Sequence, residues 1–243
     1  MDSNDFVATI AYHDGDANLD VSDSGIGDAI LSGLSGTGDI GGGSGGNQLT
    51  VHSNAGNAGL FDFSGNIFTD STTSTDLTIL KTGAGDQTFS GNINLSDSDD
   101  TSLSSYLDVG EGTVILNPGN NVTQKVGFLT GAGTLKLDNA AKVAASQDQI
   151  IELGFAKSAS EIIVDTKTFT GSVKLSGSGT NTINVGGGAG SLASADAHQE
   201  ISGTITGASG AASGKLVKTG RGMLTLSGSA SDFNGGVKIS KFT

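Results

Sequence analysis

Lys218-Thr219-Gly220-Arg221-Gly222-Met223-Leu224-Thr225-Leu226-Ser227-Gly228 is a near copy of Lys81-Thr82-Gly83-Ala84-Gly85-Asp86-Gln87-Thr88-Phe89-Ser90-Gly91, with seven of the eleven positions identical. Two glycines flanking one residue let a backbone change direction sharply. The alternation that follows, as in Leu224-Thr225-Leu226, has the period of a strand. Thr130-Gly131-Ala132-Gly133-Thr134-Leu135-Lys136-Leu137 is a partial third copy, and Ser35-Gly36-Thr37-Gly38-Asp39-Ile40 a weaker fourth.

A second motif, apolar, small polar, Gly, any residue, apolar, runs through the same chain. Phe63-Ser64-Gly65-Asn66-Ile67 returns identically at Phe89 to Ile93, then loosely at Phe169 to Val173, Ile201 to Ile205 and Phe233 to Val237. The copies start 26, 80, 32 and 32 residues apart, and the long gap is close to three of the shorter steps. A period near 30 emerges, which is the signature of a stacked repeat. Each unit is too small to bury its own apolar face, so stability requires stacking unit on unit, with each strand paired to its equivalents above and below.

The whole chain, 1–243, is therefore expected to be a single β-solenoid. Coils of roughly 20–30 residues predict about eight to twelve of them and a rod on the order of 40–60 Å long. Short strands between Gly-, Asn- and Asp-rich corners fit a right-handed parallel β-helix, since parallel connections prefer that hand. A β-sandwich is the competing architecture, but of its hairpin turn signals only Asp14-Gly15 is obvious. Residues 140–163 depart from the pattern: Ala, Lys, Gln and Glu are enriched, and a short helix competes with strands at Gln149 to Leu153 and Glu161 to Val164. Residues 1–30 and the glycine run 41–46 are expected to be irregular or mobile.

Composition agrees. Forty Gly, one Pro, no Cys and no Trp accompany short bursts of Val, Ile, Leu and Phe, whose shapes suit a pleated surface. Such a composition also suits disorder, but apolar residues alternate in Leu49-Thr50-Val51, Leu135-Lys136-Leu137, Val173-Lys174-Leu175 and Ile183-Asn184-Val185, as strands require. The net charge of −13 repels phosphate backbones and anionic lipid, so nucleic acid is not an expected partner. The absence of cysteine removes thiol chemistry and favours an exported bacterial protein that crosses an envelope unfolded. No stretch is long and apolar enough to be a transmembrane helix. Asp2 and Asp5 stand where an export signal would be basic, so the signal of an exported chain is expected to have been removed.

With these residues on the page, Leu216 to Val237 resembles the autotransporter-associated β-strand repeat of Gram-negative passenger domains, which runs Leu-x-Lys-Thr-Gly-x-Gly-Thr-Leu-x-Leu-Ser-Gly and continues to an aromatic residue and a Gly pair. Phe233 and Gly235-Gly236 stand in that last part, while Ile79 to Asn94 is a shorter version without the pair. With Gly33–Gly46 and Gly127–Leu137 as degenerate copies, the resemblance covers about half the chain. It implies a right-handed parallel β-helix displayed outside the outer membrane, anchored there through a C-terminal β-barrel that these residues do not include. It further implies that the repeat serves folding and export. The repeat positions carrying it are Lys81, Thr82, Gly83, Gly85, Phe89 and Gly91, and Lys218, Thr219, Gly220, Gly222, Leu226 and Gly228.

Motifs that carry chemistry elsewhere lack their context here. Gly42-Gly43-Ser44-Gly45-Gly46 has the letters of a nucleophile elbow, and Gly41-x-Gly43-x-x-Gly46 those of a dinucleotide loop, but no helical segment follows either. Gly210 to Lys215 has the wrong spacing for a phosphate loop, with Leu216 where a hydroxyl should hold magnesium. His13, His52 and His198 lack zinc-ligand spacing, and Asp97, Asp99 and Asp100 lack the calcium-binding nonapeptide around them. No catalytic, cofactor or metal residue is therefore expected. The expected role is non-catalytic: a surface or secreted stalk contacting host cells, itself or extracellular matrix. The alternative is a polysaccharide-cleaving β-helix enzyme with paired carboxylates, against which stands the shortage of sugar-stacking aromatics, Tyr12 and Tyr106 being the only tyrosines.

Overall fold

The computed structural model describes residues 19–20, 28–42, 47–56, 61–69, 77–95, 105–119, 124–138, 149–153, 166–175, 180–186, 197–207, 215–228 and 236–239. All regular structure among these residues is β-strand, arranged in three sheets of nine, eight and six strands. Every strand pairing is parallel. This removes the sandwich, whose hairpins would pair antiparallel.

One coil shows the plan. Leu77–Thr82 lies in the eight-stranded sheet, Asp86–Phe89 in the six-stranded sheet and Ile93–Asn94 in the nine-stranded sheet, with a three-residue corner between successive strands. From Asn47–His52 to Lys215–Thr219 the chain visits the three sheets in that order, coil after coil, so the molecule is a three-sided parallel β-helix. In the first coil the six-stranded sheet is represented only by a bridge from Gly36 to Phe63. Nine strands deep, with about 4.8 Å between neighbours, the prism is roughly 40 Å tall, at the short end of the length read from the sequence.

Strand alternation sets the core. In Leu77–Thr82, Leu77, Ile79 and Lys81 are buried while Thr78, Leu80 and Thr82 between them are partly exposed. Parallel register then stacks like upon like: Leu49, Ile79, Leu107 and Leu129 form one buried column, and Phe63, Phe89, Leu116 and Leu137 another. Burying such a side chain contributes about 1.5–3 kcal/mol.

The period near 30 is an average. Ala29 stacks under Leu49, 20 residues on, whereas Gly131 stacks under Phe169, 38 residues on. Spare residues are taken up between strands, which leaves the ladder intact. Within 140–163, Gln149–Leu153 is a strand of the nine-stranded sheet in register with Asn181 to Val185, so the strand alternative holds there; 161–164 lies outside the described residues. Inside the segment expected to be irregular, Leu19–Asp20 and Asp28–Leu31 are strands; residues 1–18, 21–27 and 43–46 lie outside the described residues.

The two sequence motifs mark corners rather than coils. Lys81 and Thr82 turn from the eight-stranded to the six-stranded sheet, whereas Lys218 and Thr219 turn from the nine-stranded to the eight-stranded sheet. Likewise Phe63 and Phe89 precede the corner into the nine-stranded sheet, but Phe169 and Ile201 the corner into the six-stranded sheet. The same local solution serves at different vertices because each vertex poses the same problem: an inward side chain, a sharp bend, a new strand.

Candidate functional site

The repeated residues do not converge on one site; they build two kinds of corner. At the Gly91 corner, a Cβ on Gly91 would lie 1.8 Å from the carbonyl oxygen of Gly65, and one on Gly65 would lie 1.7 Å from that of Gly38. On another vertex a Cβ on Gly228 would stand 2.0 Å from the Gly203 carbonyl oxygen. Coils approach one another so closely at these bends that only hydrogen fits.

The Lys-Thr-Gly corner adds a buried ammonium. Strand parity sends Lys81 inward, where it is 0% exposed. Its Nζ donates to the carbonyl oxygens of Thr82 (2.7 Å) and Gly83 (2.7 Å) and, more weakly, to that of Glu111 (3.4 Å) in the next coil. The Glu111 carboxylate completes the corner by accepting from the Gly83 N–H at 3.0 Å. The Thr82 carbonyl also accepts from the Ser53 N–H at 3.1 Å, so there the ammonium adds to the strand ladder; at Gly83 it gives a carbonyl of the bend a donor, and a buried acceptor without a partner is costly. Burial holds the Lys81 pKa below the ordinary lysine value, opposed by attraction from Asp86 and then Glu111. Lys218 repeats the device, donating to the carbonyl oxygens of Gly220 and Gly222, and burial lowers its pKa also. Thr82 and Thr219 follow on the outward side, while Phe89 packs at 1% exposure in the core. Leu226, the equivalent of Phe89 in the motif, is 38% exposed at the last coil.

Buried amides do similar work, which sequence motifs did not reveal. Gln199 is 0% exposed; its Oε1 accepts from the Leu129 N–H at 2.9 Å and its Nε2 donates to the Leu129 carbonyl at 3.1 Å, two coils away. The intervening strand pairs with the coil of Leu129 only at Gly131 and Phe169, so the side chain replaces missing ladder bonds. Gln87 does the same for the N–H and carbonyl of Leu34. The available signal was parity: in His198-Gln199-Glu200-Ile201 the alternation that buries Ile201 also buries Gln199.

On the outer face of the eight-stranded sheet two carboxylates have displaced pKa values. Burial raises Asp108, whereas hydrogen bonds from Ser227 and then Thr168 lower Glu200. Opposite displacement is what an acid and base pair needs. Register, however, puts Asp108 beside Thr130 and Glu200 beside Thr168, three coils apart or roughly 14 Å. That exceeds the about 6.5–9.5 Å over which two carboxylates act across one glycosidic bond. Glu200 instead ties coils together, accepting from Thr168 Oγ1 at 3.1 Å, beside a 2.8 Å contact between His198 Nε2 and Thr225 Oγ1. Tyr106 has the Lys167 ammonium 6.0 Å from its ring centroid, so that face is occupied by a cation.

The remaining sequence candidates stay apart. His52 contacts Asn54 in its own coil and Thr82 in the next, far along the rod from His198, and His13, the serine of the glycine run, and Asp97, Asp99 and Asp100 lie outside the described residues. Among the described residues no group of three His, Cys, Asp or Glu side chains is placed to hold a metal ion. Comparison with protein-family models, with curated proteins and with solved structures finds no significant match to this chain.

Proposed function

We propose that this protein is a non-catalytic structural stalk of the autotransporter-passenger kind, carried on the outer surface of a Gram-negative bacterium or released from it, where it contacts host cells, matrix or other copies of itself. One observation carries the reading: four of the polar side chains that the fold buries, Lys81, Gln87, Gln124 and Gln199, are directed at the backbone of their own or neighbouring coils. Polar groups in an enzyme cleft converge instead on a space left for substrate. The repeat motif and the absence of cysteine support export.

The test is to join the chain to a translocator barrel in a Gram-negative host. Surface display is read by antibody on intact cells, and attachment by binding to cultured cells and matrix proteins; display with attachment is the expected result. The competing reading, cleavage of polysaccharide, is tested with a glycan panel. Sustained turnover that Asp108→Asn or Glu200→Gln abolishes would replace the stalk with an enzyme.

A further inference from the structure

The outer face of the six-stranded sheet sorts its charges along the rod. Register sets Asp62, Thr88, Ile115, Lys136, Lys174 and Thr206 in one straight row, one residue from each of six successive coils, and strand alternation turns all of them outward. Within the row the acid precedes Ile115 and both lysines follow it. Asp86, in the neighbouring row, also lies one coil before Ile115. Lys136 is paired in its own coil to Asp138 at 2.5 Å, whereas Lys174, stacked directly on Lys136, makes no ion pair among the described residues. Like charges in register are unfavourable, so this face carries an unneutralised positive charge on a chain of net charge −13. The other faces lack this order: Lys125 stacks directly on Glu152 in the nine-stranded sheet, and Asp108 and Glu200 lie on either side of Lys167 along the eight-stranded sheet.

We propose that this face binds the same face of a second copy, with the two rods antiparallel and related by a two-fold axis through Ile115. Rotation about an axis along the strands lays the row of one copy over that of the other in reverse order. Ile115 then meets Ile115, Asp62 lies opposite Lys174, and Lys136 lies opposite Thr88 with Asp86 on the diagonal. A two-fold contact is isologous, so each unlike pair occurs twice. Parallel rods would instead set Lys174 level with Lys174 and Asp62 level with Asp62. Six strands about 4.8 Å apart and about four residues wide give a contact of roughly 400 Å² per copy, about half the roughly 800 Å² of a stable interface. The dimer is therefore weak, half formed at protein concentrations of about 0.1–1 mM. At about 0.15 M salt the screening length is about 8 Å, which damps repulsion between the two net charges of −13 while charges in contact still act. The inference rests on the stalk reading and names, for its self-contact, the face, the residues and the direction.

The chain has no cysteine, so single-cysteine variants of the full chain report the contact. Facing sheets stand about 10 Å apart, and a bis-maleimide of about that reach should join Ile115→Cys to itself. It should join Asp62→Cys to Lys174→Cys in a mixture but neither to itself, because the two copies of Asp62 stand roughly 19 Å apart along the rods. Thr182→Cys, on the outer face of the nine-stranded sheet, is the control and should stay unlinked. Sedimentation equilibrium up to about 1 mM should show monomer and dimer and no larger species. Lys174→Glu should weaken the dimer about tenfold, since both copies of the pair turn repulsive, and adding Asp62→Lys should restore it, with far-UV circular dichroism confirming the fold of each variant. Monomer throughout, self-linking of Asp62→Cys, linking of Thr182→Cys as strong as that of Ile115→Cys, or a Lys174→Glu protein that dimerises like the parent would each overturn the proposal. A monomeric rod that still displays and attaches to cells or matrix refutes this inference alone, while glycan turnover refutes the stalk and leaves the dimer standing.

Discussion

Replacing Gly91 by alanine is the most direct trial of the corner geometry. The added methyl would sit 1.8 Å from the Gly65 carbonyl oxygen, where ordinary contact begins at 3.4 Å, so the two coils must part locally by about 1.6 Å. Separation on that scale takes the bonds from Ser90 N–H (2.9 Å) and Gly91 N–H (3.3 Å) to the Phe63 carbonyl beyond hydrogen-bonding range. Losing two such bonds costs about 1 kcal/mol each, and overpacking a fitted site adds about 1–3 kcal/mol. The expected destabilisation is about 3–5 kcal/mol, read as a lower urea midpoint by circular dichroism. Gly119→Ala is the control: a Cβ there meets nothing within 4 Å, so its effect should be neutral or a gain of about 0.4–1 kcal/mol from a stiffer unfolded chain. If the two variants unfold within about 0.5 kcal/mol of each other, the coils do not approach as described.

Three further outcomes are expected. Phe89→Ala empties a 1% exposed core position and should cost about 3–5 kcal/mol in urea unfolding; no change in midpoint would remove Phe89 from the core. Lys81→Met removes the ammonium shared among the Thr82, Gly83 and Glu111 carbonyls; the lost charge-assisted bonds, partly offset by relief of burying a cation, leave a net cost of about 2–4 kcal/mol. A Lys81→Met protein as stable as the parent would mean those carbonyls find other partners. The two displaced carboxylates predict opposite pH effects. Asp108 has its folded pKa raised above 3.8, so its burial cost is absent below that value and appears as pH rises through the folded pKa; Asp108→Asn should stabilise at neutral pH, with the gain vanishing toward pH 3.8. Glu200 has its folded pKa lowered below 4.5, so it contributes stability above 4.5 that fades as pH falls through the folded pKa; Glu200→Gln should destabilise at neutral pH and not in strong acid. Urea midpoints of both variants measured across pH check the two signs.

Much of the architecture was legible in the chain because its determinants are local. Alternation in Leu77 to Thr82 sorts inward from outward side chains over a few residues, and Gly-x-Gly states that the backbone bends; together with recurrence they specify an all-β solenoid. The burial of Lys81, which the sequence reading took only as a repeat position, shares the parity of Leu77 and Ile79. Which vertex each motif occupies was decided only by the tertiary structure, since it depends on how many residues intervene between strands, and that number runs from coils of 20 to coils of 38. The same holds for Gln199 reaching Leu129 across an intervening coil, and for Asp108 and Glu200 sharing a face yet standing three coils apart. Sequence periodicity fixes which way a side chain points. The packing of distant segments fixes what it meets, because each coil can absorb extra residues at its corners without breaking the ladder between strands.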